Sequence, residues 1–284
     1  MQPPNGVLRT EVERLVREDG ASDVAVAFYD FATETEWSLR GDRWFHAAST
    51  VKLAILLALW EAAARGHLSL DAPLHVRNRF ISRRDGEPYR LDPARDADSE
   101  VYGQLGRAMR LRELAHHMIV TSSNLATNLL LDLLTPAGAR DSLQRLGVEG
   151  IDLQRGVEDL RAHETGIDNR ATAHGLLAVL RAIYEARGVS QEGAREMLDI
   201  LLQQRFDRGI PSGLPEAVRE TAQVANKTGD ISTHTHDAGL VLLPERAPYA
   251  VVVLTAWPAG GESRQSTVAR VSAAVYARLI AGEA

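Results

Sequence analysis

Of the 32 basic residues in this 284-residue chain, 30 are arginine and only Lys52 and Lys227 are lysine. Arginine replaces lysine wherever a fixed cation is enough, but it cannot give up its proton, whereas a buried lysine can. The two remaining lysines are therefore candidates for chemistry, although composition alone is equally compatible with their survival by chance. Lys52 lies in His46-Ala-Ala-Ser-Thr-Val-Lys-Leu-Ala-Ile-Leu-Leu-Ala-Leu-Trp60. Ser49 or Thr50 can begin a helix there, and the residues that follow have strong helical propensity. A spacing of three puts Ser49 and Lys52 on one helix face. A serine at a helix N-terminus has its own N–H at the positive end, suited to a developing oxyanion, and a neutral amine one turn on can accept the hydroxyl proton. A plainer reading is that Ser49 caps a core helix and Lys52 snorkels to solvent.

Lys227 lies in Val224-Ala-Asn-Lys-Thr-Gly229, at the end of a stretch that reads as a strand and before a polar turn. Lysine and threonine on an edge strand can grip a carboxylate, and glycine lets a ligand approach the backbone. An exposed strand end would give the same pattern. Between the two lysines, Leu111 to Asp132 contains two apolar helical stretches around a polar break, Thr121 to Asn124. Alone, Ser122-Ser-Asn124 reads as a helix cap or turn. In company it can project hydroxyl and amide groups into a cleft.

Ser49-x-x-Lys52, Ser122-x-Asn124 and Lys227-Thr-Gly229, in this order and at these separations, resemble the class A β-lactamase and penicillin-binding-protein superfamily. Leu68-Ser-Leu-Asp71, Asn128-Leu-Leu-Leu and His236-Asp-Ala-Gly-Leu extend the likeness, which covers roughly residues 20 to 280. The resemblance implies that Ser49 is acylated, Lys52 activates it, and Ser122 relays a proton to the leaving nitrogen with help from Lys227. Asn124 would bind the substrate amide, and Thr228 and Lys227 its carboxylate. The N–H groups of Ser49 and Asp230 would form the oxyanion hole, with Gly229 lining the substrate site. No metal or organic cofactor is implied.

One part of the pattern departs. Class A enzymes resemble one another in a loop reading Arg-x-Glu-Pro-Glu-x-x-Asn, whose first glutamate positions the hydrolytic water. Here the region reads Arg155-Gly-Val-Glu-Asp-Leu-Arg, with no proline and the glutamate one place late. The chain is thus more similar to the class A-related serine hydrolases. Glu158 is the candidate deacylation base if the loop bends differently, and Glu164 a weaker one; either can instead pair with Arg155 or Arg161. Ser123 stands where the family usually has Asp, and Asp230 adds a carboxylate beside the expected anion pocket.

The elements that would position these groups follow from periodicity. A helix Leu8 to Glu18 precedes strands Asp23 to Phe31 and Glu36 to Arg40. Further strands are expected near Ala222 to Lys227, Ala238 to Leu243 and Tyr249 to Thr255, before a helix Glu262 to Ala281. The fold class expected is α/β (α+β), an antiparallel sheet flanked by helices plus a mostly helical lobe, β-lactamase/transpeptidase-like. Residues 1–44 and 213–284 would form the sheet lobe and 45–212 the helical lobe, with the active site between them.

Composition limits the partners. The net charge of -6 argues against a nucleic-acid or anionic-membrane surface. The apolar run Leu53 to Trp60 is far short of the roughly 20 residues needed to span a bilayer. A small-molecule substrate, β-lactam or peptide-like, and a monomer are expected. The polar start, Met1 to Gly20, suggests a cytoplasmic protein as written, or a periplasmic or secreted one if a leader was removed. His234-Thr-His-Asp237 offers a rival metal site, because alternate strand residues face one way, but it lacks the further ligands of a hydrolytic zinc centre. Two rival functions use the same serine. One is a penicillin-binding or sensing protein with a persistent acyl adduct, and the second is an esterase or peptidase acting on small acyl or D-amino-acid substrates. His116-His117 reads as one packed and one surface histidine, and Val101 or Tyr102 as a residue bordering the cleft.

Overall fold

The computed structural model describes residues 4–259 and 264–281. The chain divides into two compact units, Met1–Thr50 with Ala171–Arg181 and Phe206–Ala284, and Val51–Arg170 with Ala182–Arg205. Relative to the boundaries drawn from sequence, residues 45–50, 171–181 and 206–212 belong to the unit that contains the sheet. The reason is packing: Ile210 enters the sheet's apolar core, and the turn at residues 48–50 lies against the strand that carries Gly229.

The first unit is built on a five-stranded antiparallel sheet. Its strands are Asp23–Asp30 (β1), Thr35–Leu39 (β2), Gln223–Ile231 (β3), His234–Leu243 (β4) and Arg246–Ala256 (β5), in the order β3-β4-β5-β1-β2. Alternate residues of β1 and β5 supply one apolar face, with Val26 opposite Val253 and Phe28 opposite Val251. Helices Pro4–Glu18 (α1) and Gln265–Ala281 (α10) cover that face. Leu8, Val12, Leu15 and Val16 of α1 and Val268, Val271, Val275 and Leu279 of α10 recur at helical spacing and complete the core. Thr267 donates to Asp19 at 2.6 Å, tying the end of α1 to the start of α10.

Strand expectations were short at the β3–β4 hairpin. Strand β3 continues through Gly229 and Asp230 to Ile231, and β4 starts at His234, so the turn is confined to Ser232 and Thr233. Hairpin register pairs Asp230 with Thr235 and Ile231 with His234, and this pairing overrides the low strand propensity of the polar residues. The expected start of the last helix at Glu262 lies outside the described residues.

The second unit is helical, with Val51–Ala64 (α2), Leu111–Val120 (α3), Asn124–Leu134 (α4), Pro136–Arg145 (α5), the single turn Leu160–His163 (α6) and Gln191–Leu202 (α8). Helix α7, Ala173–Tyr184, joins residues of both units, and the turn Glu216–Arg219 (α9) belongs to the first. Every residue of α2 from Val51 to Ala62 is buried. A helix apolar all round must be surrounded, and α3, α4, α5 and α8 surround it. No helix of the described residues is long and apolar enough to cross a membrane.

Glu61 is the one carboxylate inside this bundle helix. It accepts hydrogen bonds from Ser142 at 2.9 Å and from Arg145 at 2.9 and 3.0 Å, joining α2 to α5. Burial alone would raise its pKa, but the bonds from Arg145 and Ser142 outweigh burial and hold the carboxyl below its ordinary 4.5. A depressed carboxylate contributes stability above its unfolded pKa and loses it as pH falls through the folded value. Glu61→Ala should therefore cost about 2 kcal/mol at neutral pH, discounted for the part-exposed arginine. In melting curves the gap from the parent protein should narrow below about pH 4.5; a pH-independent gap would refute the ionic origin.

Candidate active site

The nucleophile candidate sits on a strained turn. Ala48–Thr50 forms a 3-10 turn that runs directly into α2, and Ala48 has a positive φ of 46°, unusual for a residue with a side chain. Ala47 O accepts from Thr50 N at 3.1 Å and also from the Thr50 hydroxyl, so the turn is closed from within. Ser49 itself is half-buried. Gly229 of β3 packs directly on this turn. A Cβ at Gly229 would lie 3.0 Å from Ser49 N and from Ala48 Cβ, and 3.1 Å from Thr50 N. Glycine suits this approach, since the strand runs against the N–H groups of the turn and a Cβ would press on them.

Upstream of Gly229 on the same edge strand, Lys227 is fully buried and donates to Thr228 O at 3.0 Å, with its ammonium 6.0 Å from the Phe206 ring. Burial lowers its pKa to about 7, against the opposing charge of Asp237. The side chain can thus hold or release a proton near neutrality. Asp237 is pushed up to about 6, again chiefly by burial, and accepts from Asn226 at 2.9 and 3.1 Å and from Ile210 N at 2.8 Å. Thr228 is buried, whereas Asp230 is exposed and its carboxylate accepts from the Thr235 hydroxyl at 3.2 Å across the hairpin.

In the helical unit, Lys52 is fully buried, and its amine reaches the polar break between α3 and α4. It lies 2.6 Å from Ser122 O, 3.1 Å from Ser122 Oγ and 2.8 Å from Asn124 Oδ1. The two carbonyl-type oxygens can only accept. A neutral amine satisfies them with its two N–H groups and keeps its lone pair for a hydroxyl donor, while an ammonium donates to all three oxygens. The same cluster therefore accommodates both protonation states.

Asn124 passes the network on. Its Nδ2 donates to Glu158 Oε1 at 2.8 Å, giving a continuous path Lys52–Asn124–Glu158. Glu158 has a positive φ of 58°, which brings the displaced glutamate to Asn124 without the proline of the related loop. Its pKa is raised, first by burial and further by the charge of Asp96, against the influence of Arg95, Asn124 and Lys52. Neither anticipated arginine pairs with it. Arg155 is bound to Asp168 at 2.8 Å and Ile167 O at 2.8 Å, and Arg161 faces Asp85 at 3.4 Å. Glu164 is exposed at the end of α6.

Several residues support the break and the loop, and of these Asp96, Asp98 and Asn169 carry no motif signal. Ser122 has a positive φ of 59°, and Ser123 caps α4 by accepting from Ala126 N at 3.2 Å. Asp96 accepts from both Asn124 N and Leu125 N at 2.9 Å, neutralising the same helix terminus from outside. Asp98 accepts from the Thr121 hydroxyl and lies 2.7 Å from His117 Nδ1. Asn128 holds the Glu158 loop through Val157 N at 2.7 Å and Val157 O at 3.0 Å. Asn169 closes the loop's neck, accepting from Gln154 N and Arg155 N and donating to Arg155 O.

Three smaller readings can be placed on the structure. His116 and His117 are both half-buried, the first facing Gln203 Oε1 at 3.1 Å and the second tied to Asp98. Val101 is fully buried, while Tyr102 is half-buried with its hydroxyl unpartnered. His234 and His236 do share one face of β4, but both ring nitrogens of His236 are engaged within the protein, through Thr255 N at 3.1 Å and His46 O at 2.9 Å. That excludes His236 as a metal ligand in this conformation. A separate cavity of about 330 Å³ in the helical unit is lined by Phe80, Tyr89, Asn128, Leu131 and Arg155 among others, and by no residue of Ser49-x-x-Lys52, Ser122-x-Asn124 or Lys227-Thr-Gly229.

An antiparallel sheet with covering helices, a helical unit, and the three motifs on these elements define a protein of the class A β-lactamase and penicillin-binding-protein type. Within that class the chain belongs to the β-lactamase enzyme family, whose model matches residues 7–279. A β-lactamase of Rhodobacter capsulatus is 26% identical over 249 residues, spanning 86% of this chain and 78% of that protein. Among solved structures, an ancestral class A β-lactamase of Gram-negative bacteria is 26% identical, with a TM-score of 0.79 over 95% of this chain and 99% of the other. A penicillin G acyl-enzyme complex of a PBP-A variant shares the fold at 24% identity and a TM-score of 0.80, covering 97% of both chains.

The contact at Gly229 yields a direct test. Gly229→Ala should leave the melting temperature within a few degrees yet slow covalent labelling of Ser49 by about tenfold or more, because the new methyl group displaces the turn that carries it. Labelling at the parent rate would show that the close approach is unimportant.

Proposed function

We propose that the protein is a serine hydrolase that opens β-lactam rings through an acyl-enzyme. The carrying observation is the chain of hydrogen bonds from Lys52 through Asn124 to Glu158, with Ser122 at the same amine. It joins a group able to activate a hydroxyl to a carboxylate of raised proton affinity, the two acid–base functions that acylation and deacylation require.

In this reading the Ser49 hydroxyl attacks the lactam carbonyl and its proton passes to neutral Lys52. The N–H groups of Ser49 and Asp230 bind the oxyanion. Collapse of the tetrahedral species breaks the C–N bond, and Ser122 delivers the proton to the leaving nitrogen while Lys52 reprotonates it. Lys227 and Thr228 bind the substrate carboxylate, Asn124 its side-chain amide, and Gly229 leaves room for the ligand beside the backbone. Glu158 then takes a proton from water as that water attacks the ester, and Ser49 is released with its proton restored. No metal or organic cofactor enters these steps.

A chromogenic cephalosporin followed by colour and by intact mass tests the reading. The parent protein should give many turnovers with little adduct. Lys52→Arg should lose about 10²-fold or more in turnover despite keeping the charge, because arginine cannot accept a proton. Glu158→Gln should accumulate the acyl adduct while its colour burst stops near one equivalent. A stable adduct on the parent protein would favour a penicillin-binding or sensing role, and absence of both signals would redirect the search to esters and peptides. Full activity of Lys52→Arg would overturn the base assignment.

A further inference from the structure

The segment before Ser49 is held by a relay of hydrogen bonds that runs through two histidines of the sheet unit. Thr255 N–H of β5 donates to His236 Nδ1 at 3.1 Å. His236 Nε2 lies 2.9 Å from His46 O and, with Nδ1 accepting, must be the nitrogen that carries the proton. His46 then turns its own Nδ1 onto Ala48 N–H at 3.0 Å. The last contact falls on the residue whose φ of 46° sets the direction of the chain into Ser49. An alanine in the left-handed region is unfavourable by itself and persists only where its surroundings determine it.

The surroundings are specific. His236 is completely buried, and Phe45 packs edge-on against both His236 and His234, at 6.0 and 6.2 Å between ring centres. Burial, above other influences, keeps His236 neutral, with a pKa lowered to about 3, so its one-donor, one-acceptor pattern is fixed throughout the ordinary pH range. On the other side of the turn Gly229 approaches Ser49 N, so Ala48 is fixed at its own N–H from the histidine side while the following Ala48–Ser49 peptide is flanked by the strand. This is the peptide whose N–H belongs to the oxyanion hole in the function proposed above.

We infer that His46 is a positioning residue for acylation: with its backbone carbonyl anchored by His236, its Nδ1 fixes Ala48 in the left-handed conformation and thereby aims Ser49 N–H at the reacting carbonyl oxygen. The inference rests on the reading of Ser49 as nucleophile. It assigns to His46 no contact with substrate and no proton transfer. What matters is an acceptor at the Nδ1 position, and an asparagine supplies one there while a glutamine places its amide one bond farther out.

The test compares the rate constant for acylation of Ser49 by penicillin G, read by rapid-quench intact mass before turnover is established, in the full-length protein and in His46→Asn, His46→Gln and Ser49→Ala, with melting temperatures measured in parallel. His46→Asn should acylate within about threefold of the parent protein, and His46→Gln should be slower by about tenfold to a hundredfold, the scale expected for a misaimed group. Similar melting temperatures for the two variants would separate positioning from stability. Equal rates for His46→Gln and the parent, or a His46→Asn variant as slow as His46→Gln, would overturn the inference while leaving Ser49 in place. A parent protein with neither Ser49-dependent hydrolysis of penicillin G nor a Ser49-dependent adduct would overturn both this inference and the proposed function.

Discussion

A lysine amine buried without solvent must be given oxygen partners or lose its proton, and Lys52 imposes that constraint on the helical unit. The partners come from the break between α3 and α4, where the chain leaves helical geometry at Ser122 and exposes a carbonyl, a hydroxyl and the Asn124 amide to a single nitrogen. A break of this kind leaves orphan N–H groups at the next helix start. Ser123 takes one of them and Asp96 takes two. The amine, the break and the acidic loop at residues 96–98 are thus one hydrogen-bonded arrangement. Asn124 is its exit, because the amide that accepts from Lys52 also donates to Glu158.

The sheet unit solves a different problem, the close approach of a strand to a turn. An edge strand is free on one side, and β3 uses that freedom to bring Gly229 against the N–H groups of residues 49 and 50. Lys227 and Asp237 lie buried in the same strand pair, and burial moves both pKa values toward neutrality, to about 7 and about 6. A buried carboxylate needs hydrogen-bond donors, and Asp237 has them from Asn226 and Ile210.

The motif residues were legible because each motif is local: Ser49 with Lys52, Ser122 with Asn124, and Lys227 to Gly229 each occupy one short stretch of chain. The five strands of the sheet and the long helices were legible from alternation and helical spacing. What sequence did not reveal depends on distant chain segments. Asp96 and Asp98 act from more than twenty residues before the break they cap, and no spacing rule links an aspartate to a helix start that far away. Glu158 was a candidate by position alone. Its bond to Asn124 depends on a left-handed backbone conformation, which sequence does not specify for glutamate. The extension of β3 to Ile231 and the engagement of both His236 nitrogens follow from hairpin and sheet register, which emerge only when the strands pair.

The central claim is that Ser49 forms the covalent intermediate. Peptide mapping by mass spectrometry, on the Glu158→Gln protein quenched within seconds of adding penicillin G, where the ester should persist, addresses it most directly. The account predicts an added mass equal to the whole drug, confined to the peptide containing Ser49 and located on that residue by fragmentation. An adduct on Ser122, or on any other residue while Ser49 remains unmodified, would contradict it.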